Sequence, residues 1–296
     1  MKKRWVILLA LGLLLVIVAA FRSGRLAREP EYQGKKLTDW VRIGAPRIVG
    51  WDRAAAEEAV HKMGTSALPW LVLWLDDGPR PVWETKALKI MAKLPKQFGG
   101  NYARNLLSPS PEWIRFNFAR DGIRTLGNDA RPAIPDLLRL AKKPGCQRGG
   151  DAAASILIHF GEELQPQLIK ILHSPNAPGR RPVIDHFQHI GAAALGTNAN
   201  AAVEGLVLCL NDTDRYTRTH AILALGNLML RPDIVVPALA KTCNDADPAV
   251  REAALGALSA YGEAARPGRA AVVQALHDSD AEVRAVAGMA LEQIPD

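Results

Sequence analysis

The sequence predicts an all-α fold: a right-handed α-solenoid of about seven to eight helical hairpins, preceded by one transmembrane helix. Three observations carry that prediction. A motif recurs at a step of 33 residues, as Asp212 to Arg218, Asp245 to Arg251 and Asp278 to Arg284. The apolar positions behind it keep the same step, at Ala221, Ala254 and Ala287, at Ala224, Ala257 and Ala290, and at Leu225, Leu258 and Leu291. A single uninterrupted apolar run stands near the N-terminus, and strand-type alternation is nowhere sustained. Hairpins in register at such a period bury their apolar stripes only against one another.

In chain order, residues 1–4 form a basic N-terminus, MKKR, and residues 5–21 are 17 consecutive apolar or small residues before Arg22. A spanning helix needs about 17–25 residues and a secretory h-region about 7–15, so 5–21 reads as a retained anchor. Cleavage of a signal ending at Val18, Ala19 and Ala20 is the alternative. Lys2, Lys3 and Arg4 favour a cytoplasmic N-terminus, whereas Arg22, Arg25, Arg28, Lys35 and Lys36 crowd the other flank. The short basic start before one hydrophobic helix decides for an exported, periplasmic array. Residues 22–35 are a basic connector, and 36–296 are the solenoid.

Within the solenoid, helices are read as ending near Gly64, Leu94, Gly127, Gly161 and Gly196, about one hairpin period apart. The Pro- and Gly-rich stretches at 108–112, 142–150 and 174–182 read as joints. In the clearest copy Asp247 is the N-cap and Pro248 takes the first helical position, where its missing N–H costs nothing. Asp214 and Asp280 are the equivalent caps. Val250, Leu258 and Tyr261 supply the apolar stripe, and Ala254 and Ala257 admit a neighbouring helix.

These residues resemble the HEAT repeat family, whose second helix opens on a Val-Arg pair, here Val250-Arg251 and Val283-Arg284, with Thr217 in place of Val before Arg218. In that family the Asp and Arg form a ladder between units, and the resemblance implies the same for Asp212, Arg218, Asp245, Arg251, Asp278 and Arg284. Surface pairs of this kind contribute about 0.2–1 kcal/mol each, which makes them structural devices that set register. Pro109 and Lys142 stand at the Asp position of earlier copies, so the ladder is not implied there. Residues 31–41, EYQGKKLTDWV, resemble the leading segment of membrane-anchored bacterial HEAT-repeat proteins.

The net charge of +7 belongs to the membrane flank. Residues 1–50 hold ten Lys/Arg against three Asp/Glu, while 51–296 hold 27 of each. Nucleic acid binding requires cations along a phosphate backbone, and a neutral array excludes it. Neutrality hides a polarity, with 51–150 at +6 and 151–296 at −6. The bland account is uneven solvated faces. The sharper one is a basic patch with Arg104, Arg115, Arg120, Arg124, Arg131 and Arg139 that meets an acidic protein partner. Trp70, Trp74, Trp83 and Trp113 are read chiefly as core, and Trp113 beside those arginines would be a binding anchor.

Neither a phosphate loop nor a nucleophile elbow, HExxH or CxxC motif is present, so no cofactor and no catalytic residue are expected. His186 and His189 share a helix face, without a third ligand at a telling spacing, and His159 and His173 are isolated. The acidic triplets at 212–214, 245–247 and 278–280 lack the Gly and terminal Glu of a calcium loop. Cys209 and Cys243 are expected to be buried thiols, with a bridge between them as the lesser alternative, and Cys146, in a Pro/Gly joint, is expected to be exposed.

The function expected is that of a membrane-tethered, non-catalytic scaffold that binds a protein partner through the solenoid surface. Two alternatives stand beside it: a HEAT-like enzyme such as a chromophore lyase or base glycosylase, and self-association through the last repeat, which closes on EQIPD without a polar capping hairpin.

Overall fold

A computed structural model describes residues 28–43, 52–76 and 112–295. The anchor expected at 5–21, most of the connector, the helix end at Leu94, and the side chains of Arg104, Trp83 and Trp113 lie outside the described residues. Among the described residues no helix is long and apolar enough to cross a membrane. The chain divides into two units, Met1–Leu137 and Leu138–Asp296.

The first unit opens with a departure from the all-α expectation. Strands β1 (Glu31–Tyr32) and β2 (Lys35–Lys36) pair antiparallel. Gln33 and Gly34 between them both have positive φ, at 50° and 71°, the geometry that a two-residue hairpin turn demands. The hairpin feeds helix α1 (Leu37–Ile43), where Trp40 is buried and its indole N–H donates to the Tyr32 carbonyl at 3.4 Å. Helices α2 (Arg53–Met63), α3 (Leu68–Leu75) and α4 (Glu112–Leu126) pack together. Asp52 caps α2 by accepting the Ala55 N–H at 2.9 Å. Trp70 and Trp74 are core residues, and Trp74 meets Phe118 of α4 edge-on at 6.3 Å.

Helix α5 (Ile134–Lys142) straddles the division. In the second unit it is followed by α6 (Gln147–Ile158), α7 (Gln165–Leu172), α8 (Arg180–Leu195), α9 (Ala199–Cys209), α10 (Arg215–Leu228), α11 (Pro232–Thr242), α12 (Pro248–Tyr261), α13 (Arg269–Ala275) and α14 (Ala281–Gln293). The even-numbered helices from α6 to α14 pack each on the next, and α7, α9, α11 and α13 form a second row. This is an α-solenoid of two layers, with its core between the rows. Val250, Leu255 and Leu258 of α12 are buried there beside Val236 and Leu239 of α11.

Helix ends follow from local chemistry. Asp214, Asp247 and Asp280 accept backbone N–H bonds at 2.9–3.2 Å from the first turns of α10, α12 and α14, a cap worth about 1 kcal/mol. Gly64, Gly127, Gly161, Gly196 and Gly262 follow α2, α4, α6, α8 and α12 with positive φ. The exit of α10 breaks this habit, because Met229 takes the left-handed conformation at φ 47°, ψ 35°. A Cβ there costs roughly 1–2 kcal/mol.

The joint at 142–150 corrects one expectation. Cys146 is fully buried, with Gly149 and Gly150 buried beside it, and its carbonyl accepts the Gly150 N–H at 2.7 Å as the next helix starts. A Cβ on Gly150 would collide with Pro178 and approach the Leu140 carbonyl at 3.1 Å. The glycine serves close packing as well as the turn. Cys209 and Cys243 form no bridge, and burial pushes their thiols up to about 12.

Candidate partner-binding surface

The Asp and Arg positions singled out by the 33-residue step form a continuous structure. Arg218 donates from Nε and Nη2 to both carboxylate oxygens of Asp245, each at 2.9 Å. Arg251 does the same to Asp278 at 2.8 and 2.7 Å. The third nitrogen, Nη1, turns back to the Asp212 carbonyl from Arg218 (3.0 Å), to the Asp245 carbonyl from Arg251 (2.9 Å) and to the Asp278 carbonyl from Arg284 (2.7 Å). Each Asp Oδ1 also accepts the N–H two residues on, at Asp214, Asp247 and Asp280. The guanidinium of Arg251 holds the Asp278 carboxyl below the usual carboxylate range. Side-chain exposure is only 12–15% at both rungs, so these are more enclosed than ordinary surface pairs.

Asp212 is met by a residue that the repeat pattern does not mark. Arg180, at the start of α8, donates from Nη1 to Asp212 Oδ2 at 2.5 Å, and both side chains are 5% exposed. Its Nε is buried without a partner among the described residues. The missed signal was the position 27 residues before Asp212: it holds Asp185 instead of an arginine, so a substitute cation had to come from elsewhere.

The row of even-numbered helices turns one side to solvent in the second unit, as the other row does at the exposed Leu208 and Val273. On α8 and α10 that side is polar and internally bonded. Tyr216 stacks on His220 with ring centroids 3.8 Å apart and takes the Arg181 guanidinium 4.2 Å from its own centroid. Its hydroxyl donates to Asp185 at 3.3 Å, and His220 Nδ1 lies 3.1 Å from the same carboxylate. Burial, reinforced by Asp185, pushes the Tyr216 hydroxyl upward. Burial also pushes His186 downward, helped by the positive charges of His159 and His189. Among the described residues no group of three or more His, Cys, Asp or Glu is placed to hold a metal ion.

Beyond that cluster the surface becomes an open groove of about 490 Å³ across α10, α12 and α14. The 33-residue columns explain its shape. Leu223, Gly256 and Met289 share one column, and His220, Ala253 and Val286 share another. The small residues fall on α12, where Ala249, Ala253, Gly256 and Ala260 make a floor. Leu223 on one wall is 38% exposed, and Met289, one turn beyond Val286 on the other, is 59% exposed. A Cβ on Gly256 would meet nothing within 4 Å, so packing does not require that glycine. Among the described residues Glu252 is the one ionisable residue lining the groove.

The arginines expected to face a partner are elsewhere, on α4 and the 3-10 turn Gly127–Ala133 of the first unit. Arg124 and Arg131 are exposed, and Arg115 and Arg120 are half-buried. Arg120 is held by its neighbour Asp121 at 3.0 Å, and Arg131 donates to Asn128 at 3.4 Å.

The two-layered array with its ladder of rungs defines the second unit as a helical-repeat solenoid. Residues 203–292 match the family of HEAT repeats. No curated protein matches it. Among solved structures it is similar to an engineered protein at 18% identity, over 87% of this chain and 73% of that one, with a TM-score of 0.47. A designed armadillo repeat protein in complex with the peptide (KR)4 is similar at 17% identity, over 77% and 99%, with a TM-score of 0.44. Computationally designed armadillo repeat proteins for modular peptide recognition give 17%, 77%, 100% and 0.43 in the same order.

Proposed function

We propose that this protein is a membrane-tethered, non-catalytic scaffold that holds a protein partner on the open side of its HEAT repeats. The observation that carries the reading is the groove across α10, α12 and α14. The large apolar side chain of Leu223 stays in solvent there above a floor of small residues, and Met289 is exposed one turn beyond the lining residue Val286. Exposed apolar surface of this kind marks interaction sites. The tether is the apolar run at 5–21, with the array on the exported side, and resistance of the full chain to alkaline extraction from membranes tests it.

A second contact, for an acidic partner, is supported by the exposed Arg124 and Arg131 on the first unit. Photo-crosslinking separates the two surfaces. With a photoreactive residue at Leu223 or Met289 of the full-length chain in cells, one dominant adduct with another protein is expected. It is lost in Gly256→Trp and retained in the Arg124→Glu, Arg131→Glu double variant. Adducts with a second copy alone would overturn the scaffold reading in favour of self-assembly.

A further inference from the structure

We propose that the occupant of the groove is a short amphipathic α-helix with an apolar stripe and a lysine- or arginine-bearing edge, lying along α12. The inference rests on the scaffold reading and goes beyond it by fixing the partner's chemistry.

Pitch is the first argument. The floor residues Ala249, Ala253, Gly256 and Ala260 and the wall residues Thr219, Leu223 and Asn227 recur at helical spacing, which puts gaps between the wall side chains about 5–6 Å apart. An incoming helix presents its own stripe at the same interval and interdigitates, whereas same-face residues of a strand recur at about 6.6–6.8 Å. From Ala249 to Ala260 the floor runs for about 16 Å at 1.5 Å per residue, three turns of a partner helix. Small floor residues let two helix axes approach to about 8–10 Å, and the missing Cβ at Gly256 leaves room for one large apolar anchor.

Charge is the second argument. Residues 203–292 hold twelve acidic and eight basic side chains, a net of −4. Seven of the eight basic ones are engaged, all but Lys241: Arg218 and Arg251 in the rungs, Arg215 with Asp247, Arg231 with Asp233, Arg266 with Glu263, Arg269 with the Ile294 carbonyl, and Arg284 on its own turn. Glu252 lies in the groove, and Glu282 follows Ala249 by one step of the repeat at the start of α14. No cation among the described residues pairs with Glu252. A basic edge on the partner complements this field, and an acidic edge is repelled by it.

The test uses the purified full-length chain in detergent and labelled synthetic peptides of three to four helical turns, read by fluorescence anisotropy. One peptide has an apolar stripe with a lysine edge, a second has the same stripe with a glutamate edge, and a third scrambles the first. The lysine-edged helix is expected to bind about tenfold or more tighter than either control, a difference of roughly 1.4 kcal/mol. Gly256→Leu and Leu223→Asn should each abolish the binding, and Glu252→Gln should narrow the lysine-over-glutamate preference. Far-UV circular dichroism confirms that each variant is folded, and Leu223→Asn, at a partly exposed position of the groove wall, serves if Gly256→Leu is not. Equal binding of the scrambled peptide would reduce the effect to bulk charge and overturn the proposal. Preference for the glutamate edge, or binding unaffected by both groove variants, would also overturn it. If those results came with a groove adduct in cells, the scaffold reading would stand and the helix would fall; absence of the adduct removes the scaffold reading itself.

Discussion

Arg218 and Asp245 sit 27 residues apart and meet through two parallel hydrogen bonds of 2.9 Å, while the same guanidinium holds the Asp212 carbonyl of its own turn. One side chain therefore clamps two successive interhelical turns, and Arg251 repeats the arrangement one hairpin later. Planarity makes this possible: a guanidinium presents a fork to a carboxylate and still has a nitrogen to spare, which an ammonium does not.

Replacing the clamp with lysine tests that geometry. Arg251→Lys keeps the charge and loses the fork, and is expected to lower the stability of the second unit by about 1–2 kcal/mol. Arg251→Ala should cost about 2–3 kcal/mol. Denaturant midpoints at constant m-value are the measurement, and a lysine variant as stable as the wild type would show that charge alone sufficed.

Acid should loosen the same rung. Because the folded state holds the Asp278 carboxyl below its ordinary value, its contribution is present above about pH 4, the unfolded carboxylate range. It is lost as pH falls through the folded value. Wild type should therefore lose more stability between neutral pH and about pH 3 than Asp278→Asn does. Parallel pH profiles of the two proteins would reject the assignment.

The buried pair obeys a different rule. Arg180→Met leaves the Asp212 carboxylate with its Asp214 N–H bond but no cation, and should cost about 3–5 kcal/mol. Adding Asp212→Asn removes the stranded charge, so the double variant should recover most of that loss. Thermal unfolding of the two variants checks it; a double variant as unstable as the single one would mean that the ion pair itself supplies the stability.

Two glycines are expected to respond oppositely to one methyl group. Gly150→Ala drives a Cβ into Pro178 and should destabilise by about 1–3 kcal/mol. Gly256→Ala meets open space within a helix and should stabilise by roughly 0.5–1 kcal/mol. The second variant also begins to fill the groove, so a rise in thermal stability with a fall in partner capture is the combined signature.

What the sequence revealed, it revealed through sameness. Identical residues at the 33-residue step located the two rungs, the caps and the hairpins, because those contacts recur from one copy to the next. Arg180 escaped notice since it does the work of a rung from the first position of α8, while Asp185 stands where the repeat step would put an arginine. The groove escaped for the converse reason: it lives in columns whose members differ, Leu223 against Gly256 against Met289. The arginines of α4 drew attention by composition, yet composition is blind to a neighbour such as Asp121, which takes Arg120 out of circulation. Cys146 was placed on the surface because Pro/Gly joints are usually exposed, whereas here Gly149 and Gly150 are buried with it.

The rungs also have a direction. In both, the arginine precedes its carboxylate partner by 27 residues. On a ribosome adding about 5–20 residues per second, each guanidinium has emerged one to a few seconds before the turn it must grip. The two hairpins that follow a rung arginine thus arrive at a docking point already built.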